Sequence, residues 1–286
     1  MKKYRDIAGD GGSDIVGQVE AQQQRLGARL AEVRSIVAVV SGKGGVGKSS
    51  ITANLAGAFA LAGARVGVLD ADLNGPSMAT LLGVRGRTLM VGAGGVEPPA
   101  GALGIRVMSM DLLLADDATP LAWEAPSQAE AHTWRGAMEA NALREFLADT
   151  AWGPLDVLLV DLPPGTDRLA TVTGLLPALS GTVIVTIPSD VARLVVRRSI
   201  TVARAAPAPV LGVIENMAGM FPGPGAEALA RDGGVPFLGR VPFDPALAAA
   251  GDRGEPYVAA APSAPAARAL TAIAAALRAA LPPARA

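Results

Sequence analysis

The 286-residue chain contains no cysteine. That absence removes disulfides, thiolate nucleophiles and any cysteine-ligated zinc or iron–sulfur centre that this chain would build alone. Histidine is nearly as scarce: His132, in AHTWRG, is the single one. One imidazole makes no metal site by itself, so His132 reads as a surface or packing residue. An excess of charge of one sign is also missing. The formal net charge is −1 and the pI about 5.9, so no overall positive field draws the chain toward nucleic acid or anionic lipid. No apolar run is long enough to span a bilayer. The longest, ITANLAGAFALAGA at 51–64, ends at Arg65 and reads as a buried helix. Lys2 and Lys3 are followed by Arg5, Asp6 and Asp10, where a secretory signal would place its apolar stretch. A cytoplasmic protein without a membrane partner is expected.

Apolar residues make up 50% of the chain, enough to fill a core at this length. Residues 1–17 are rich in Gly and Asp and read as a flexible tail. Ile15, Val19, Leu26, Leu30 and Val33 recur among Gln, Glu and Arg, the pattern of an amphipathic lead-in helix. Apolar, β-branched runs follow at 35–41, 65–72, 105–110, 155–161, 181–188 and 209–216, separated by helical stretches. Continuous apolar strands alternating with helices mean a parallel sheet covered on both sides. The expected fold is therefore α/β, a doubly wound, mostly parallel sheet with helices on both faces, in one domain over 18–286. The Gly- and Pro-rich stretch 84–103 reads as loop or hairpin. Near the end, Leu270, Ile273, Leu277 and Leu281 fall at helical spacing. This stripe predicts a packing helix rather than a membrane anchor, because it has no large aromatics and no lysine-rich face.

Gly42 to Ser49 fits the phosphate-binding pattern G-x-x-x-x-G-K-[ST] without a mismatch, after an apolar strand and at the start of a helix. Gly42, Gly44, Gly45 and Gly47 let the backbone wrap close to phosphates, with Val46 between them, and the helix N-terminus adds its positive end. Lys48 is expected on the β- and γ-phosphates of ATP, Ser49 on Mg²⁺, and Ser50 within the same binding segment. Acidic residues end two strands: Asp70 and Asp72 in VLDADLNGPS, and Asp161 in LLVDLPPGT. At the C-terminal edge of a parallel sheet they face the ligand crevice. Asp161 suits the Mg²⁺ shell, Asp72 suits orientation of the attacking water, and Asp70 suits a supporting Mg²⁺ partner. The competing reading of Asp70 is a carboxylate that caps the following helix.

The segment KGGVGKS resembles the deviant P-loop of MinD- and ParA-like ATPases. By that resemblance Lys43 crosses a homodimer to the partner's nucleotide and stabilises the charge of the transition state. The likeness extends further. DADLNGPSM, TWRGAM, WGPLDVLLVDLPPGT, PVLGVIENM and GVPFLGRVPFDP resemble, in order and spacing, the motifs of the Mrp (ApbC-like) ATPases over residues 18 to 283. That resemblance implies an ATP-dependent homodimer serving iron–sulfur cluster assembly, with Asn216 hydrogen-bonded to adenine.

Two departures from the family stand out. Asp167 and Arg168 replace its Gly-Asp after PPGT. The loop after Asn216 and Met217 reads AGMFPGPGAEAL, with Pro222 and Gly225 where the family has its C-x-x-C pair. Met217 and Met220 are nearby, but thioethers replace thiolates poorly, so packing or dimer contact is their expected role. No cluster held by this chain itself is expected, and an assembly role would act through a client protein. Two alternatives stand beside this reading: a positioning ATPase of the ParA/MinD kind, and a noncatalytic module that ATP locks as a dimer. Arg193, Arg197 and Arg204 share one side of a helix, but a solvated or ion-paired face is the commoner meaning, and nucleic-acid binding is not expected.

Overall fold

The computed structural model describes residues 15–92, 94–113, 140–165, 174–176, 179–188, 190–205, 208–221 and 225–281. His132, the TWRGAM segment, Asp167, Arg168 and Pro222 lie outside them. In chain order, α1 is Ile15–Leu30, β1 Ile36–Ser41, α2 Lys48–Leu61, β2 Val66–Asp70 and α3 Met78–Leu81. A short antiparallel ribbon follows, β3 Met90–Gly92 with β4 Gly95–Glu97, and then β5, Arg106–Met108. Residues 140–149 form α4. Next come β6 Val157–Asp161, β7 Leu179–Thr186, α5 Asp190–Ala205 and β8 Val210–Ala218. The chain closes with α6 Ala226–Asp232, β9 Phe237–Pro242, α7 Pro245–Asp252, α8 Tyr257–Ala260 and α9 Pro265–Ala280.

Seven strands pair in the order β5-β2-β6-β1-β7-β8-β9, every pair parallel. This is the expected parallel sheet. Its central strands β1, β2 and β6 are buried at every position, which is why they read as unbroken apolar runs rather than alternating ones. Alternation survives in where the side chains go. Val37 and Val39 pack into a core shared with α2, α8 and α9. Ile36, Ala38 and Val40 join a second core with α1, α4 and α6 on the other face.

Helix α2 lies against the sheet with Ile51 to Phe59 buried, as the apolar run at 51–64 requires. Gly57 allows its closest approach, since a Cβ there would meet the ring of Pro256 at 2.6 Å. In α9 the expected stripe is inside, with Leu270, Ile273 and Leu277 buried and Leu281 just past the helix end. The lead-in helix begins at Ile15, the first residue of its predicted apolar spacing. One detail differs from the sequence reading. Residues 237–242 form a seventh strand, where Gly239 and Arg240 interrupt the apolar run that would have announced it.

The order places the site. The chain leaves β1 toward β2 on one side and returns to build β7 and β8 on the other. The direction of winding reverses next to β1, and the crevice at a parallel sheet's C-terminal edge opens at such a reversal.

Candidate functional site

The loop 42–47 joins β1 to α2 at that edge. Gly45 and Gly47 both have φ of +78°, a conformation that costs an L-residue side chain about 1–2 kcal/mol. Gly47 is also constrained by space, because the Asn216 amide stands where its Cβ would be. A Cβ on Gly45 would instead meet open space, and Gly44 and Gly45 are exposed while Gly42, Lys43 and Gly47 are half-buried. No side chain caps the N-terminus of α2. The first N–H groups of a helix lack intrahelical partners and carry a positive dipole end. An open, flexible-backbone loop over an uncapped helix start is a fit for phosphate.

Lys48 is buried, and its Nζ lies 2.5 Å from Asp161 Oδ2. Ser49 donates to the same oxygen at 2.7 Å. Thr52 stands 2.6 Å from Asp161 Oδ1 and 3.0 Å from the Lys48 carbonyl. Its single hydroxyl proton serves the shorter, charged contact. Lys48, Ser49 and Asp161, all anticipated, thus meet on one carboxylate, and Thr52 is an addition. The signal for it was available: Thr52 is four residues after Lys48 and so on the same helix face.

Asp70 and Asp161 sit opposite each other in register on β2 and β6, both fully buried. Asp70 accepts from the backbone N–H groups of Ser77 at 2.8 Å and Met78 at 2.9 Å, from Ser109 Oγ at 3.2 Å, and from the Asp72 N–H at 3.2 Å. Those donors tie its carboxylate into the loop that leads to α3. Burial, and next the charge of Asp161, push its pKa up to about 7, against the pull of the Met78 and Ser77 N–H groups and of Lys48. Asp72 is half-buried and turned onto its own loop, accepting from Gly75 N–H at 3.2 Å. Ser109 was not anticipated, although a serine that interrupts the apolar run IRVMSM just after Met108 marks a strand end at this edge.

Asn216 is buried at the end of β8 and donates to the carbonyl of Val46 at 2.9 Å. It therefore fastens β8 to the phosphate loop. Beside it, Glu215 is buried, accepting from Ala226 N–H at 2.5 Å and from Arg240 Nε at 2.6 Å. Ser50, half-buried, offers its carbonyl to Asn54, and Lys43 accepts from Ser41 Oγ at 3.0 Å through its own carbonyl. Away from the edge, Arg197 lies 3.8 Å from Asp232 and Arg204 donates to the Gly234 carbonyl; the Arg193 side chain is not described. Among the described residues no cluster of three His, Cys, Asp or Glu side chains is placed to hold a metal. No described helix is long and apolar enough to cross a membrane.

Residues 32–278 match the ParA family, described as NUBPL iron-transfer P-loop NTPase. An iron-sulfur cluster carrier protein of Saccharolobus solfataricus is 41% identical over 243 residues, which span 81% of this chain and 78% of that protein. The cytosolic Fe-S cluster assembly factor NUBP2 of Homo sapiens is 42% identical over 234 residues, 76% of this chain and 82% of the relative. Among solved structures, a nucleotide-binding protein of Archaeoglobus fulgidus in complex with ADP superposes with a TM-score of 0.69 and 36% identity, covering 82% of this chain and 92% of that one. The cell division ATPase MinD of Pyrococcus furiosus, 22% identical with a TM-score of 0.64, covers 86% and 99% and shares the fold.

Proposed function

The chain belongs to the NUBPL iron-transfer P-loop NTPase family, and on that footing we propose that it is an Mg-ATP-dependent homodimeric switch that acts on a partner in iron–sulfur protein assembly. The observation that carries the nucleotide part is the convergence of Lys48, Ser49 and Asp161 beneath an open glycine loop. Ser49 and Asp161 would hold the metal, with Asp70 behind them, and Mg²⁺ there would neutralise phosphate charge. Lys48 supplies the cation for the β- and γ-phosphates, and the loop N–H groups supply the cradle. Asn216 orients adenine from the end of β8. Asp72, on the loop that Asp70 anchors, positions the attacking water. Lys43 faces the partner copy's nucleotide.

The client role follows from composition. No cysteine and one histidine cannot ligate a cluster, so the thiolates belong to another protein. A DNA-bound positioning role gains no support from α5, because Arg197 and Arg204 are engaged with Asp232 and Gly234 of their own chain.

Comparing two lysine variants tests the switch. Lys43→Ala should keep ATP affinity within a few-fold while hydrolysis and ATP-dependent dimerisation fall together, and Lys48→Ala should lose nucleotide affinity. Parental hydrolysis by a monomeric Lys43→Ala protein would refute the role of Lys43 across the dimer.

A further inference from the structure

The two lysines of the phosphate loop are held in different ways. Lys48 rests its ammonium on Asp161. Among the described residues the Lys43 ammonium meets no carboxylate, and what holds Lys43 is its main chain, whose carbonyl accepts from the Ser41 hydroxyl at 3.0 Å. Ser41 is the last residue of β1, fully buried and in register with Val185 of β7. Its place is therefore fixed by the sheet and not by the loop. The same residue has a second attachment. Its carbonyl accepts the Gly165 N–H at 2.9 Å, just as the Val39 carbonyl accepts the Leu162 N–H at 3.1 Å. Leu162 to Gly165 is the segment that leaves Asp161, and Gly44 lies against it, with Pro164 4.0 Å from where a Cβ would stand. Ser41 thus joins β1, the peptide after Lys43 and the loop after the metal-side carboxylate.

We infer that Ser41 is a positioning residue for Lys43: its hydroxyl sets the direction in which the lysine leaves the loop. The inference rests on the role proposed for Lys43 above. Gly42 precedes Lys43 and Gly44 follows it, so the neighbouring torsions restrain the lysine little. A bond to its carbonyl supplies the restraint that the glycines withhold. The effect is largest at the tip, because the four-carbon stem of lysine carries any rotation of the backbone out to the ammonium. The peptide is planar and trans, so holding the Lys43 carbonyl on Ser41 also turns the Gly44 N–H away from Ser41. Alanine at 41 would leave that carbonyl to water and the peptide free to turn. The groups beneath the loop would be spared. Lys48, Ser49 and Thr52 meet on Asp161 without the Ser41 hydroxyl, so the phosphate and metal ligands keep their geometry when it is removed.

ATP turnover by the full chain, with kcat and KM separated, tests the assignment on Ser41→Ala, Ser41→Thr, Lys43→Ala and the combination of Ser41→Ala with Lys43→Ala. Ser41→Ala should lower kcat by about tenfold or more, as displacement of a reacting group does, while KM for ATP stays within a few-fold of the parent. Ser41→Thr, which keeps the hydroxyl, should recover most of the rate. The combined variant should be no slower than Lys43→Ala alone, because a residue that acts through another has nothing left to position once its target is gone. A parental kcat in Ser41→Ala beside a slow Lys43→Ala would overturn the positioning role and leave the Lys43 reading intact. Losses that multiply in the combined variant would overturn it as well, since Ser41 would then act by a route other than Lys43. So would a KM raised as in Lys48→Ala, which would make the bond a support of the whole loop. A parental kcat in Lys43→Ala would overturn both readings.

Discussion

Replacing Thr52 with Val keeps the shape of the side chain and removes one hydroxyl, which isolates the bond to Asp161 Oδ1 at 2.6 Å. Both residues are fully buried, so no water replaces the lost donor. A hydrogen bond to a buried charged group contributes about 1.5–3 kcal/mol, and an acceptor stranded without a partner costs a similar amount. Valine also returns some stability, since a methyl in the same core is favourable by several tenths of a kcal/mol or more. The net expectation is a loss of about 2 kcal/mol, or roughly 4–8 °C in melting temperature for a domain near this size. Thr52→Ser, which keeps the hydroxyl, should lose less than half as much. Calorimetry without nucleotide reads the stability, and fluorescent ATP titration at varied Mg²⁺ reads the site. Because Asp161 also receives Lys48 and Ser49 on its other oxygen, a carboxylate freed to rotate should weaken Mg-ATP binding in Thr52→Val but not in Thr52→Ser. If valine and the parent melt together and bind Mg-ATP alike, Thr52 does not hold the carboxylate.

Asp72→Asn should slow turnover by about a hundredfold or more while ATP still binds, as expected when a positioned base or water-orienting group is lost; equal single-turnover rates would move that role elsewhere. Asp70 gives a pH prediction. Its folded pKa of about 7 exceeds the unfolded value of about 4, so the folded protein retains a proton that the unfolded chain has released between those values. Metal-free stability should therefore fall as pH rises from about 4 to about 7, by at most about 4 kcal/mol, and level off above. Asp70→Asn should flatten that slope in denaturant titrations, and an unchanged slope would assign it to other groups. Anaerobic reconstitution with iron and sulfide, then desalting, should leave no stoichiometric cluster chromophore on the purified protein; a retained chromophore would refute the client reading.

The fold was largely legible because β1, β2 and β6 are buried on both faces, which forces continuous apolar sequence that only a covered parallel sheet explains. Strand β9 was not, since an edge strand needs burial on less of its surface and admits Gly239 and Arg240. Within the site, glycine spacing and strand-end acids led directly to Lys48, Ser49 and Asp161. What stayed hidden is partnership. Nothing in a linear pattern says that Asp70 spends its oxygens on Ser77, Met78, Ser109 and Asp72. Nor does it say that Asn216 holds the Val46 carbonyl 170 residues away in sequence. Those bonds depend on strand register, which is set by the packed sheet and not by any local segment.

The register of β2 and β6 also constrains how the phosphate loop works. Asp70 and Asp161 face each other inside the core, and Lys48 is the cation that lowers the cost of their proximity. Two adjacent buried carboxylates cannot both remain ionised unless a cation or a shared proton lies between them. On the proposed function, moving Lys48 from Asp161 to a phosphate would uncover that repulsion, which a cation at Ser49 and Asp161 or a proton on Asp70 would relieve. Nucleotide capture by Lys48 and divalent-cation binding at Ser49 and Asp161 should therefore be coupled. The same displacement would reach the rest of the edge, because Asp70 accepts the N–H groups of Asp72, Ser77 and Met78. A change of charge at the phosphates should thereby be felt in the segment that holds the proposed water-orienting residue.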